Sequence, residues 1–496
     1  MRTGLPILLA ACLGAALNWP RLPDAAALDA PTERFSAARA LKHVATWANA
    51  PRPTGSQRHA EVVNAIETEL VRLGFEVDRQ QTGRLTNLAA SAPGDGPGGV
   101  WLVAHSDSVA EGPGAADDGL GLGVIVETLR ALSADGPRHG VHALITDGEE
   151  AGLLGAAAFV ATAPPAARVA INIEARGTEG PAYMFQTAGD SPQMLQAWGR
   201  SGCDAQATSL ARTVYDQLPN DTDFTVLRAA GWWGYDFALL GGAWRYHTPE
   251  DTPANLDPRS VQQVGDCVLG LATAWVGRVG EGGELCTWRP PWYAIPPAYA
   301  QVLGGTRVVP AWVISLFGAA ALFVLPRPDR RALRGAAAFF GAGLTVAVAS
   351  GLLMAAAVFL WPGFMVRTAE IPEPRPLYFA AFFLGLGGLW LGRRRSAGGW
   401  GIDAPAILLA ALAAVFSPVA AYILVPGAWT AALRLRGWGA AAVLPAFVAG
   451  LLLGPLYSAI YPALTTRMLP VLAMLPFFTL GWLFTKPAAK PADTQE

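Results

Sequence analysis

Six stretches of the C-terminal half, 308–325, 336–361, 377–392, 404–425, 438–460 and 468–484, contain no Asp, Glu, Lys, Arg or His, and nothing else in the chain constrains its fold as strongly. A helix rises about 1.5 Å per residue, so a hydrocarbon core of about 30 Å is crossed by roughly 20 apolar residues. The six stretches approach or exceed that length, and Pro, Gly and Arg collect between them. The expectation is an all-α transmembrane bundle of about six helices over 308–485, followed by a tail over 486–496. This half also accounts for a composition in which 52% of 496 residues are hydrophobic and 15% charged, far from a soluble average.

Arginines orient the bundle. The loop RPDRRALR at 327–334 and the cluster at 393–395 bracket two stretches, and both are expected on the cytoplasmic side. The stretch starting at 308 then runs inward, which places the preceding half outside the cytoplasm: periplasmic or extracellular in a bacterium, lumenal in a eukaryote. The apolar segment 4–18 behind Arg2 agrees with that export. Residues 1–27 read as a signal anchor, or as a signal peptide with a small-residue site near Ala25 to Ala27. Cys12 in LAAC has a fainter likeness to a lipoprotein processing box.

The exported half reads as alternating strands and helices, hence a mostly parallel mixed sheet flanked by helices. Strand patterns cover 76–80, 86–91, 100–105, 141–146, 169–175, 182–187 and 232–240, and helical patterns cover 61–75, 119–132 and 258–275. Residues 278–307, rich in Gly and Pro with Trp288 and Trp292, read as a linker to the membrane surface.

Chemistry gathers at the strand ends. WLVAHSDSVAEGPGAADDG, 101–119, ends an apolar run in His105 and Asp107 and returns Asp117 on a glycine-rich turn. Residues two apart on a strand point the same way, and open α/β sheets bind ligands at this edge. An imidazole and a carboxylate converging there suit zinc. VHALITDGEEAGLLGA, 141–156, ends another strand in Asp147, Glu149 and Glu150. Neighbouring side chains diverge, so Glu150 is expected to bind the metal while Glu149 faces the metal's water as general base. RVAINIEARG ends in Glu174, and WRYHTPEDT supplies His247. The other histidines, His43, His59, His139 and His142, read as solvated or internally satisfied rings.

These residues resemble the co-catalytic di-zinc peptidases of the aminopeptidase Y and bacterial leucyl aminopeptidase type, over residues 35–277. RPTGS at 52–56 and TNLAA at 86–90 resemble that family's early segments. LPNDTDF at 218–224 and NIEARG at 172–177, with Glu174 where soluble members more often carry Asp, resemble its membrane-bound branch, the endoplasmic reticulum metallopeptidases and vacuolar membrane proteases. The resemblance implies a zinc peptidase domain over 28–277 with two Zn²⁺ per chain. Asp117 would bridge the two ions, His105 and Glu174 would hold one, and Glu150 and His247 the other. Asp107 would orient His105, and Glu149 would deprotonate the bridging water. An exported, membrane-anchored peptidase, foremost an aminopeptidase acting on a peptide or protein substrate beside membrane lipid, is the resulting expectation.

Two other classes stay open. A glutaminyl cyclase-like acyl transferase shares the fold and uses one zinc, and a non-catalytic binding module could serve a membrane transport or assembly protein. The uncharged stretches argue against transport, which usually needs ionisable residues within the spans. The net charge of −2 and the absence of a long basic patch give no hint of a nucleic-acid partner, and none is expected. Cys203, Cys267 and Cys286 have no metal-site spacing and allow at most one disulfide, of unassigned pairing.

Overall fold

The computed structural model describes residues 4–134, 136–163, 166, 168–189, 191–208, 211, 215, 220–276, 294–295, 316, 318–321, 330–360, 375–395, 407, 410, 418–464 and 469–485. The described residues of Arg21–Pro290 form one compact unit, and those of Met1–Pro20 and Val308–Glu496 form another. The expected linker lies almost wholly outside the described residues, as does Cys286.

The first unit is a mixed sheet between helices. Its strands are β1 (Glu76–Thr82), β2 (Leu85–Ser91), β3 (Gly99–His105), β4 (Val141–Thr146), β5 (Arg168–Ala175), β6 (Glu179–Ala188), β7 (Gln206–Thr208) and β8 (Trp233–Gly241). They stand in the order β1-β2-β4-β3-β5-β8-β6-β7. The central four, β4-β3-β5-β8, are parallel, while β2 runs antiparallel to β4 and β6 antiparallel to β8. Every residue of β3, β4 and β5 is buried. Strands covered on both faces have no polar side to alternate with, so they appear in the sequence as unbroken apolar runs. Parallel pairing also sends their C-terminal ends to one edge, where their loops emerge together.

Helices α2 (Ala37–Trp47), α4 (Gly121–Leu132) and α8 (Pro258–Trp275) pack on one another, and α5 (Leu154–Thr162) packs on α7 (Asp223–Ala229). Ser36 caps α2 and Ser56 caps α3 (Gln57–Arg72), each side chain accepting from a first-turn N–H. Asp257 does the same for α8, whose first residue is Pro258. Gly123 lets α4 approach α2 closely, since a Cβ there would stand 2.9 Å from the Ala40 carbonyl oxygen. Beneath α5 and α7, Trp101, Phe159, Phe224 and Trp232 fill the core, with the Arg168 guanidinium 4.9 Å from the Trp232 ring centroid.

Helix α6 (Ser191–Ser201) leads to Cys203, which is joined to Cys267 of α8 across a sequence separation of 64. This pairing suits an oxidising compartment. Closing a loop of this length restricts the unfolded chain by about 4 kcal/mol on the chain-entropy account. Thermal unfolding of the full-length protein should therefore shift several degrees downward in reductant, and a Cys203→Ser/Cys267→Ser double variant should show the low value without reductant.

The second unit is helical. Helix α1 (Gly4–Leu17) lies along α12 (Val443–Leu464), with Gly14 and Gly450 at the crossing; a Cβ on Gly450 would fall 1.9 Å from the Ala11 carbonyl oxygen. Asn18 Nδ2 donates to the Leu451 carbonyl at 2.7 Å. Helices α9 (Arg330–Leu360), α10 (Arg375–Arg395), α12 and α13 (Leu469–Thr479) share a core of Phe339, Val346, Leu389, Tyr461 and Phe477, and α11 (Pro418–Leu435) packs on α12. Among the described residues one segment, Ala337–Ala357, is long and apolar enough to cross a membrane; Gly4–Leu17, Val443–Ser458 and Pro470–Thr479 are apolar but shorter. Leu344, Val348 and Leu352 form an exposed apolar stripe on α9. Two expected spans, 308–325 and 404–425, lie largely outside the described residues.

Candidate metal centre

The loops after β3, β4 and β5 bring the sequence's acids and imidazoles together. His105, the last residue of β3, is fully buried. Its Nε2 lies 3.1 Å from Asp117 Oδ1 and 3.8 Å from Glu174 Oε2. His247 Nε2 lies 3.1 Å from the other oxygen of the same aspartate, Asp117 Oδ2, and 3.1 Å from Glu150 Oε2. Two groups of potential metal ligands result, His105-Asp117-Glu174 and Asp117-Glu150-His247, with the ligand atoms of each within 4.8 Å of one another. Asp117 belongs to both.

Local structure differs from the strand-and-helix reading at two of these residues. Asp117 sits in an irregular π-type turn, Ala115–Leu120, between Gly114 and α4, rather than before a helix starting at 119. Gly114 has φ 61°, and a Cβ there would meet the Asp117 carbonyl at 2.2 Å, so the turn needs glycine. His247 lies beyond β8, after a 3-10 turn at Ala243–Arg245, and adopts a left-handed φ of 57°. A non-glycine residue rarely takes that conformation, and the surrounding contacts hold it there.

Asp107 organises the neighbouring loop. One of its oxygens stands 3.4 Å from His105 Nδ1 and accepts from the Glu149 N–H at 3.2 Å, while the other accepts from the Glu150 N–H at 3.3 Å. Thr54 of the RPTGS segment reaches both Asp107 and Asp147, and Asp147 in turn accepts from the Thr86 N–H of β2. Asp223 accepts from the Thr146 hydroxyl and lies close enough to act on Glu149.

Several supporting residues escaped the sequence reading. Arg52 is fully buried and donates to the carbonyls of Ser106, Pro113 and Gly114, tying the Asp107 loop to the Asp117 turn. Asp251 accepts from the Ala116 N–H at 2.8 Å and the Asp117 N–H at 3.2 Å, and Asp118 accepts from the N–H groups of His105 and Gly121. Tyr246 stacks on His247 with ring centroids 3.7 Å apart. Arg52 and Asp251 act through contacts distant in sequence, whereas Tyr246 acts on its neighbour His247 and Asp118 in part on Gly121 three residues on. The remaining histidines are accounted for elsewhere: His59 bonds Ser106 Oγ, His142 stacks on Trp101, His43 on Trp47, and His139 pairs with Asp95 at the surface.

The electrostatics are those of crowded acids. Burial, with Asp223, Asp117 and Glu150 close by, pushes Glu149 up to about 9. Burial and neighbouring acids likewise raise Glu150 and Glu174. Burial alone would lower His247, but its bonds to Asp117 and Glu150 outweigh that and carry it to about 10. Burial would also lower His105, which the bonds to Asp107 and Asp117 reverse, and those two imidazoles pull Asp117 below the carboxylate range against its own burial. Glu150 Oε1 is buried and has no hydrogen-bond partner among the described residues. A divalent cation answers each of these features: it favours the ionised carboxylates and neutral imidazoles, and occupies the orphaned oxygen.

A mixed α/β sheet whose strand ends carry two histidine-carboxylate groups sharing an aspartate is a candidate metal-binding domain. Residues 87–272 match the Peptidase family M28 description, so the chain carries a peptidase M28 domain. It is 34% identical over 196 residues to endoplasmic reticulum metallopeptidase 1 of Mus musculus, covering 38% of this chain and 22% of that protein. It is 34% identical over 161 residues to the vacuolar membrane protease of Botryotinia fuckeliana (strain B05.10), covering 32% of this chain and 15% of that protein. The chain thus matches less than a quarter of the length of either relative. Among solved structures, the aminopeptidase from Aneurinibacillus sp. strain AM-1 is similar at 14% identity and a TM-score of 0.42, over 51% of this chain and 96% of that one.

Removing Arg52 takes the guanidinium from the buried Ser106 and Pro113 carbonyls, at about 1–3 kcal/mol each, and leaves the Gly114 carbonyl with the Gly119 N–H alone. Arg52→Met should lower the unfolding temperature and the zinc retained after dialysis, and Arg52→Lys, lacking the planar fork, should recover only part of either. Unchanged zinc content and melting in Arg52→Met would show that the cation does not hold the two loops.

Proposed function

We propose that this chain is a membrane-anchored zinc peptidase, an aminopeptidase in mode, working outside the cytoplasm with two Zn²⁺ per chain. The observation that carries the reading is Asp117, whose two oxygens face two different histidines, each accompanied by its own glutamate. In this reading His105, Asp117 and Glu174 hold one ion and Asp117, Glu150 and His247 the other. Asp107 fixes the His105 ring through Nδ1.

Bound there, zinc would supply Lewis-acid polarisation of a substrate carbonyl and of water. The chain's own residues place and move the proton. Glu149 hangs from a backbone N–H pinned by Asp107, adjacent to Glu150, so its carboxylate is fixed beside both groups. It takes a proton from the attacking water and returns it to the leaving amine. Cations in the two groups favour its ionised form, which the base role requires.

Glu149→Gln keeps the side chain's shape but cannot accept that proton. It should retain zinc near the wild-type amount while hydrolysis of a leucyl-peptide falls by at least about two orders of magnitude. Asp117→Asn should lose both metal and activity, and Glu150→Ala or His247→Ala mainly one ion. Two zinc ions in all three ligand variants would refute the ligand assignment.

The exported orientation follows from the arginine-rich segments within 327–334 and 393–395 and agrees with the Cys203–Cys267 bond. About six spans are proposed for the helical half. A reporter active only outside the cytoplasm should work when fused after Gly282 and fail after Arg331 or Arg395. Activity of the reverse pattern would overturn the assigned side.

A further inference from the structure

Beside the metal centre stands a cation that has no counter-ion among the described residues. Arg176 lies two residues beyond Glu174, and its backbone is fixed on both sides: its N–H donates to the Leu239 carbonyl at 2.9 Å, and the Thr178 N–H donates to Gly241 at 2.8 Å. Gly177 between them lies so close to β8 that a Cβ would stand 2.1 Å from the Gly241 carbonyl oxygen. The Arg176 guanidinium stands 5.9 Å from the centroid of the Tyr246 ring, which itself stacks on His247. Among the described residues it forms no ion pair. The acids acting on Tyr246 are Asp117, Glu150, Glu149 and Glu174, all belonging to the metal groups and their base. The neighbouring Arg245 differs in that one of its terminal nitrogens donates to Thr178 and stands 3.8 Å from Glu179, although its Nε has no hydrogen-bond partner among the described residues.

A guanidinium stacked on an aromatic face keeps its planar edge free, and that edge matches a carboxylate with two parallel hydrogen bonds. Resting on the peptidase reading above, we infer that Arg176 forms a carboxylate-binding subsite beside the metal centre. It selects peptides that present a carboxylate just beyond the scissile bond. The carboxylate has two possible sources: the free C-terminus of a dipeptide, or an acidic side chain on the residue following the cleaved bond. Tyr246 holds the guanidinium in place, linking the subsite to His247.

Binding calorimetry on the zinc-loaded, full-length Glu149→Gln protein tests this without turnover, using Leu-Leu, Leu-Leu-amide and Leu-Glu-amide as probes. With Arg176 present, a carboxylate-bearing peptide should bind on the order of tenfold more tightly than Leu-Leu-amide, the size of one charge-assisted contact. Adding Arg176→Gln should bring the probes within about twofold of one another, while Arg176→Lys, which keeps the charge, should retain part of the difference. An advantage confined to Leu-Leu assigns the terminal carboxylate, and one confined to Leu-Glu-amide assigns the side chain. Equal binding of all three probes with Arg176 present, binding of none, or an advantage that survives Arg176→Gln would overturn the subsite. Failure of the peptidase reading shows separately, as absence of Leu-Leu hydrolysis by the wild-type protein.

Discussion

More negative charge is gathered at one sheet edge than the side chains around it can neutralise. Asp107, Asp117, Asp118, Glu174, Asp223 and Asp251 are buried there, with Glu149 and Glu150 half-buried beside them, and the cations facing them are His105, His247 and Arg52. An unpaired carboxylate taken from water costs several kcal/mol, and the cost is relieved only by protonation, hydrogen bonding or a cation. Asp251 and Asp118 meet backbone N–H groups, and Asp107 meets those of Glu149 and Glu150. The two groups sharing Asp117 meet the imidazoles of His105 and His247 instead, and on the proposed reading divalent ions complete the neutralisation.

The sheet makes this concentration possible. Parallel β3, β4 and β5 end at one edge, so residues distant in sequence meet without any loop having to fold back far. The buried strands give rigid starting points, and the irregular turn at Ala115–Leu120 is pinned by Asp251 and overhung by the Arg52 contacts at Pro113 and Gly114. Precision at the site thus comes from the core outward: apolar burial fixes the strands, backbone hydrogen bonds fix the loops, and the ligands inherit their positions.

Much of this was legible in the chain. β4 runs over the expected residues, and β3 and β5 begin one residue earlier than expected, because a strand buried on both faces leaves an uninterrupted apolar run. Helix α8 begins at the Asp257-Pro258 signal and ends as expected. The three-residue β7 has no such run and was not anticipated. The candidate ligands could be picked out as types at strand ends, but their division into two groups sharing Asp117 rested on a family resemblance. Arg52 lies in RPTGS, and Tyr246 and Asp251 in WRYHTPEDT, but their roles were not legible there, because an arginine bonding carbonyls, or a tyrosine stacked on an imidazole, has no periodicity. In the helical half, composition marks apolar stretches well, yet Ala337–Ala357 alone among the described segments has both the length and the apolarity of a span.

The central claim is that the crowded acids are a site for two divalent cations, and metal analysis tests it most directly. Full-length protein purified in detergent, stripped with chelator and re-equilibrated with limiting excesses of zinc, should bind close to two equivalents per chain. One equivalent would indicate the single-zinc chemistry of a glutaminyl cyclase-like enzyme. No bound zinc would contradict the account, leaving the acids to be held by protons and the domain to serve as a binding module.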